Sequence, residues 1–117
     1  MAVKRVPKPS PLEVKNAVLA FFAERKHSVL ISRAALQNPL YYGEAHFAEQ
    51  RIVINPHRGN LMKVLETLVH EAIHLLWPDW THHSVNRFER EVMGMLTSTE
   101  RHWIFYRGMQ EAVWKDE

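Results

Sequence analysis

Apolar side chains recur every three or four residues between positions 61 and 76, at Leu61, Leu65, Leu68, Ala72 and Leu75. This spacing places them on one side of an α-helix, where they can pack on a core. Asn60 suits the N-cap, and Pro78 lies just beyond the last turn. The pattern therefore predicts a helix over 61–76.

Patterns on either side predict the other elements. Ser10-Pro11-Leu12-Glu13 is a capping box with proline at the first helical position, which predicts a helix over about 11–26. Runs of β-branched, apolar and aromatic residues predict strands at 28–32, 41–47 and 51–54. Helical spacing returns over 82–97 and, less regularly, from 97 to the C-terminus, where Trp103, Tyr106, Gln110, Val113 and Trp114 form a stripe.

The predicted fold class is α+β. The elements are an N-terminal helix, a sheet of about three strands, the 61–76 helix, an antiparallel helix after a short turn, and a C-terminal helix. With 117 residues, 46% of them hydrophobic, the chain suits one core. We expect a basic, proline-rich and flexible tail over 1–10 and a single domain over 11–117.

Composition narrows the function classes. The chain has no cysteine, so thiolate zinc sites and disulfides are excluded. It shows neither a signal-peptide pattern nor a membrane-length apolar run, so we expect a cytoplasmic protein with no membrane partner. The net charge is only +2, and the few cations in the tail, such as Lys4, Arg5 and Lys8, would form a weak binding surface for phosphate groups. This argues against nucleic acid as a partner. The pattern specifies no oligomeric state.

The motif His70-Glu71-Ala72-Ile73-His74 is the main chemical signal. On a helix, His70 and His74 lie one turn apart and can converge on one zinc ion. Glu71 lies one step round the helix, from where its carboxylate can take a proton from a zinc-bound water. Both histidines lie off the apolar stripe. The motif predicts a zinc-dependent hydrolase with Glu71 as general base.

A catalytic zinc commonly has three protein ligands, so a third residue is needed. The candidates after the turn are His82, His83, Glu89 and Glu91. His82 and Glu89 share the face that packs on the motif helix, whereas His83 and Glu91 point elsewhere. We prefer His82 as the third ligand. Glu89 is the alternative ligand, or else it orients a liganding imidazole or pairs with a basic group.

The motif, the preceding segment Arg51-Ile52-Val53-Ile54-Asn55-Pro56 and the following Pro78-Asp79 resemble those of zincin-type metallopeptidases, particularly the small single-domain versions of bacteria and bacteriophages. The likeness covers about residues 41–96. It implies zinc ligands at His70 and His74 and a general base at Glu71. The glycine and the third histidine of the metzincin pattern are absent.

The leading hypothesis is a zinc metallopeptidase that cleaves a peptide or protein substrate with an activated water. In a zincin, an edge strand pairs with the substrate, and residues 41–47 are our candidate for it. His102 and Tyr106 are left out of the predicted site, because an aromatic helical stripe is more often core. The alternatives are a non-catalytic, zinc-stabilised binding domain and a nucleic-acid-associated adaptor with an inactive motif.

Overall fold

A computed structural model describes residues 7–110 and 112–115. In chain order, the elements are α1 (Pro11–Glu24), β1 (Ser28–Ile31), β2 (Gly43–His46), β3 (Arg51–Ile54), α2 (Leu61–Leu76), α3 (His82–Met95), α4 (Ser98–Met109) and β4 (Val113–Trp114). The described residues thus combine four helices with a small sheet, as the hydrophobic pattern predicts. Of the predicted tail, residues 1–6 lie outside the described residues.

The sheet is mixed and has the strand order β2-β3-β1-β4. Strands β1 and β3 are parallel, with Val29 opposite Ile52, and β2 runs antiparallel to β3, with Ala45 opposite Ile52. Strand β4 pairs in parallel with β1. Strand β2 therefore lies at one edge of the described sheet, as predicted for residues 41–47, and the sheet has four strands instead of about three.

The predicted helix from residue 97 to the C-terminus is wrong beyond Met109. Val113 lies opposite Leu30 in parallel pairing, and the backbone N–H of Lys115 donates to the carbonyl oxygen of Ile31 over 3.1 Å. A β-branched residue followed by tryptophan suits an extended edge, and β1 offers unpaired backbone groups on that side. These tertiary hydrogen bonds outweigh the imperfect helical spacing.

The helix starts follow the predicted caps. Ser10 accepts from the backbone N–H of Glu13 in a complete capping box, and Asn60 and Thr81 cap α2 and α3. Thr97 caps α4, so α3 ends earlier than the predicted residue 97. Helix α1 ends at Glu24, before a left-handed Arg25 with φ of 54°.

The largest core cluster joins all four helices to one face of the sheet. From α2 it includes Leu65, Leu68, Ala72 and Leu75, which confirms most of the predicted stripe. Leu61 is the exception at 72% exposed, since the first turn of α2 extends beyond this cluster. Across the described residues, every helix is too short or too polar to span a membrane.

Candidate metal centre

Three histidine side chains meet between α2 and α3. The His70 and His74 ring centroids are 4.8 Å apart, and those of His70 and His82 are 5.0 Å apart. One nitrogen from each ring lies within 4.8 Å of the other two. Imidazole nitrogen is a preferred zinc ligand, and three protein ligands leave a position open for water. The His70/His74/His82 cluster could therefore hold a metal ion.

An aromatic stack sets the position of His82. Helix α2 ends at Leu76, and the backbone N–H of the following Trp77 donates to the carbonyl oxygen of Ile73 over 2.9 Å before the chain turns back. The Trp77 and Trp80 rings are stacked with centroids 4.5 Å apart, and Trp80 stacks in turn on Phe88 of α3, at 4.8 Å. This stack connects the turn to both helices, so the first residue of α3, His82, lies beside the end of α2.

Glu89 contacts His70 and does not belong to the cluster of ligand atoms. Its Oε1 lies 2.9 Å from Nδ1 of His70, and 15% of its side chain is exposed. A carboxylate at this nitrogen fixes the tautomer that carries the proton on Nδ1, which leaves Nε2 with a lone pair for a metal. The arrangement matches the predicted alternative in which Glu89 orients a liganding imidazole.

The other two candidates for third ligand lie away from the centre. His83 is exposed and, unlike the neighbouring His82, neither belongs to the histidine cluster nor lines the cleft. Glu91 forms an ion pair with Arg87 one turn away, with 3.5 Å between Oε1 and Nε. Neither side chain approaches the histidine cluster, in agreement with their predicted outward orientation.

Glu71 is the most deeply buried carboxylate of the site, at 6% exposed. Burial raises the pKa of Glu71 to about 7, because desolvation disfavours the charged form. The nearby His70 opposes the rise, while Glu44 and Glu89 add to it. A carboxyl group with this pKa can both accept and release a proton near neutral pH.

The surroundings of His74 disfavour its protonation. Burial, together with the neighbouring His70 and His82, lowers the pKa of His74 to about 4. Only the neutral imidazole has a lone pair that can bind a metal. At neutral pH, His74 is therefore already in the form that a metal ion requires.

The centre opens into a cleft with a volume of about 1230 Å³. Its floor is α2, with Thr67, His70, Glu71 and His74. One wall is β2 with its flanking residues, and the other is formed by Trp80 and the first turns of α3. The predicted edge strand thus lines the same cleft as the predicted zinc ligands.

Gly43 allows β2 to lie close to α2. A Cβ atom on this residue would lie 2.5 Å from Cγ2 of Thr67 and 2.6 Å from the carbonyl oxygen of Val53. Both distances are shorter than any normal contact. Thr67 has little freedom to move, since its hydroxyl donates to the Lys63 carbonyl over 2.7 Å. Any other residue at position 43 would displace the wall from the floor.

Sequence reasoning assigned no individual role to several residues of the cleft, among them Asn86, Glu44 and Trp80. Asn86 lies four residues after His82 on the same face of α3, so helical spacing could have identified it. Glu44 and Trp80 carry no local signal, because their position depends on how β2 and the turn pack. His102 and Tyr106, left out of the predicted site, are exposed and do not line the cleft.

Comparison with known proteins yields no match: no protein-family model, curated protein or solved structure matches this chain.

Proposed function

We propose that this chain is a zinc-dependent metallopeptidase that hydrolyses a peptide bond in the cleft beside α2. One observation carries the proposal. Three histidine nitrogens from α2 and α3 lie within 4.8 Å of one another, and the buried carboxyl group of Glu71 lies next to His70 in the chain. Histidine ligands beside a carboxylate base are the parts that hydrolytic zinc sites use.

The donor set suits zinc. It consists of three imidazoles with no thiolate, and the contact of Glu89 with Nδ1 of His70 leaves Nε2 of that ring for a metal. His70, His74 and His82 would hold the ion. When bound, zinc would supply a Lewis acid that polarises a water and stabilises the oxyanion of an attacked carbonyl.

The protein's own residues account for the proton transfers. Glu71 accepts a proton from the attacking water, whose oxygen bonds to the carbonyl carbon. The same carboxyl group then donates that proton to the amide nitrogen as the C–N bond breaks, and the carboxylate is restored. The carboxylate form of Glu71 accepts the proton and the carboxyl form returns it, so the residue ends each turnover in its starting state.

The edge position of β2 favours a peptide as the substrate. Its outer side carries no neighbouring strand in the described sheet, so its backbone groups can pair with an extended chain. Such pairing holds a peptide by its main chain, which every peptide offers. The side chains that line the cleft then determine which peptide sequences bind.

The test compares zinc-loaded wild-type protein with Glu71→Gln on a mixture of fluorescence-quenched peptides. Removal of a general base typically costs about 10²–10⁴-fold in rate. We expect a loss of that size with zinc content unchanged, while Glu91→Gln, in α3 outside the cleft, retains activity. Equal hydrolysis by wild type and Glu71→Gln would contradict the proposal. Zinc-loaded wild type that cleaves no peptide would favour the zinc-stabilised binding domain.

A further inference from the structure

The charge of the cleft is opposite to that of the chain. The whole sequence has 15 lysines and arginines against 13 aspartates and glutamates, a net charge of +2. Among the described residues that line the cleft, one is a lysine, Lys63, and five are glutamates: Glu44, Glu49, Glu66, Glu71 and Glu89. Carboxylates are therefore concentrated where a substrate would bind.

Three of these glutamates belong to the histidine centre or pair with Lys63. Glu89 is hydrogen-bonded to His70, and Glu71 is the proposed general base. Glu66 lies 3.3 Å from the ammonium group of Lys63, so these two charges offset each other. Neither the histidine centre nor Lys63 accounts for the remaining two, Glu44 and Glu49.

Glu44 and Glu49 belong to the β2 side of the cleft. Glu44 is the second residue of β2, where it accepts a hydrogen bond from the backbone N–H of Gln37 and lies 3.6 Å from His46. Glu49 is exposed in the turn that joins β2 to β3. Their spacing puts one carboxylate within the edge strand and the other just beyond its end.

An added strand would bring its side chains to these carboxylates. Residues directly opposite each other on paired strands point to the same face, with Cβ atoms about 5 Å apart. A residue opposite Glu44 would therefore lie within reach of its carboxylate. Tyr41 and Phe47, 50% and 45% exposed on either side of β2, offer apolar surface to a long side-chain stem.

We propose that the cleft selects extended peptide segments rich in lysine or arginine, which pair with β2 and place basic side chains beside Glu44 and Glu49. The proposal rests on the proposed peptidase function for its choice of a peptide. It defines the substrate class by charge complementarity and by a free strand edge. The positive net charge of the whole chain would by itself favour acidic peptides instead.

Binding to the zinc-loaded Glu71→Gln protein tests this selection without cleavage. Three fluorescein-labelled peptides of equal length alternate alanine with lysine, glutamine or glutamate, and fluorescence anisotropy gives each dissociation constant. A favourable cross-strand charge pair is worth up to a factor of about five in affinity. With two such pairs, we expect the lysine peptide to bind about two- to twentyfold more tightly than the glutamine peptide, and the glutamate peptide to bind most weakly.

Substitutions identify the residues responsible. Adding Glu44→Gln and Glu49→Gln to the Glu71→Gln protein should abolish the lysine preference, because glutamine removes the negative charge. The side-chain shape is kept. The matched control adds Glu24→Gln and Glu91→Gln, two glutamates outside the cleft, and should retain the preference. Glu49→Gln alone, at an exposed position, should reduce the preference even if the double variant does not fold.

The outcomes separate this proposal from the peptidase function. Equal binding of the lysine and glutamate peptides, or a preference unchanged by Glu49→Gln and by the folded double variant, would overturn the substrate class. If the lysine peptide binds selectively but zinc-loaded wild type does not cleave it, the substrate class stands and the peptidase function fails. If zinc-loaded wild type cleaves all three peptides at equal rates, the peptidase function stands and the substrate class fails.

Discussion

Nδ1 of His70 lies 2.9 Å from Oε1 of Glu89, and this contact joins α2 to α3 at the histidine centre. The carboxylate fixes one tautomer of the ring and leaves the lone pair on the other nitrogen. The contact also connects the two helices that supply the three imidazoles. Any two amphipathic segments could form a helix pair. The contact between His70 and Glu89 gives this pair a defined arrangement of side chains.

Glu89→Gln should weaken zinc binding by about 10–100-fold, since loss of such a supporting carboxylate typically costs that much. Competition with a chromophoric chelator measures the affinity. Glu91→Gln is the control, because Glu91 pairs with Arg87 away from the centre. Equal zinc affinity in Glu89→Gln and wild type would show that the contact does not support a metal.

Glu71→Gln should stabilise the metal-free protein at alkaline pH. With its pKa raised from 4.5 to about 7, native Glu71 holds its proton over a range where the unfolded chain has lost it. Wild-type stability therefore falls as pH rises through this window, whereas the glutamine variant lacks this loss. The shift corresponds to a difference on the order of 3 kcal/mol above pH 7.

Urea unfolding of chelator-treated protein at pH 5 and pH 8.5 measures this difference. The advantage of Glu71→Gln should be small at pH 5 and large at pH 8.5. Glu66→Gln on the same helix should show no such gain, because Glu66 is half-buried and paired with Lys63. A pH-independent advantage of Glu71→Gln would mean that desolvation of its carboxylate is not the cause.

Gly43→Ala should destabilise the protein by about 1–3 kcal/mol, the usual cost of inserting a methyl group into a packed site. The added Cβ would overlap Thr67 and the Val53 carbonyl and would force β2 away from α2. Thermal unfolding measures the change. The proposed peptidase activity should fall with it, because the displaced strand is the wall proposed to bind the substrate.

Gly94→Ala is the matched control for this prediction. A Cβ atom on Gly94, in α3, meets no atom within 4 Å. Alanine is the better helix former by about 1 kcal/mol, so this variant should be slightly more stable than wild type. If both alanine variants changed stability in the same direction, the close approach of β2 to α2 would not explain the effect at position 43.

Local patterns predicted the helices well where caps and apolar spacing agreed. The start of α1 follows from the Ser10 capping box, and α2 has the predicted bounds between Asn60 and Pro78. The closeness of His82 to the motif could be argued from the short turn and the face of α3. These features depend on residues near one another in sequence.

Features that depend on contacts between residues distant in sequence could not be predicted from local sequence patterns. Val113 and Trp114 join the sheet because β1 has a free side, a fact about residues more than eighty positions away. The choice between Glu89 as a ligand and Glu89 as a partner of His70 depends on the separation of two helices. The burial of Glu71, and hence its raised pKa, likewise depends on the surrounding fold.

The zinc content of untagged protein, purified without metal-affinity resin, tests the central claim most directly. Elemental mass spectrometry should find about one zinc per chain in wild type and in His83→Ala, whose imidazole is exposed outside the histidine cluster. His70→Ala and His82→Ala should each lose the metal. Wild-type protein that stays metal-free after zinc addition and dialysis, or zinc that remains in both cluster variants, would contradict a His70/His74/His82 zinc centre.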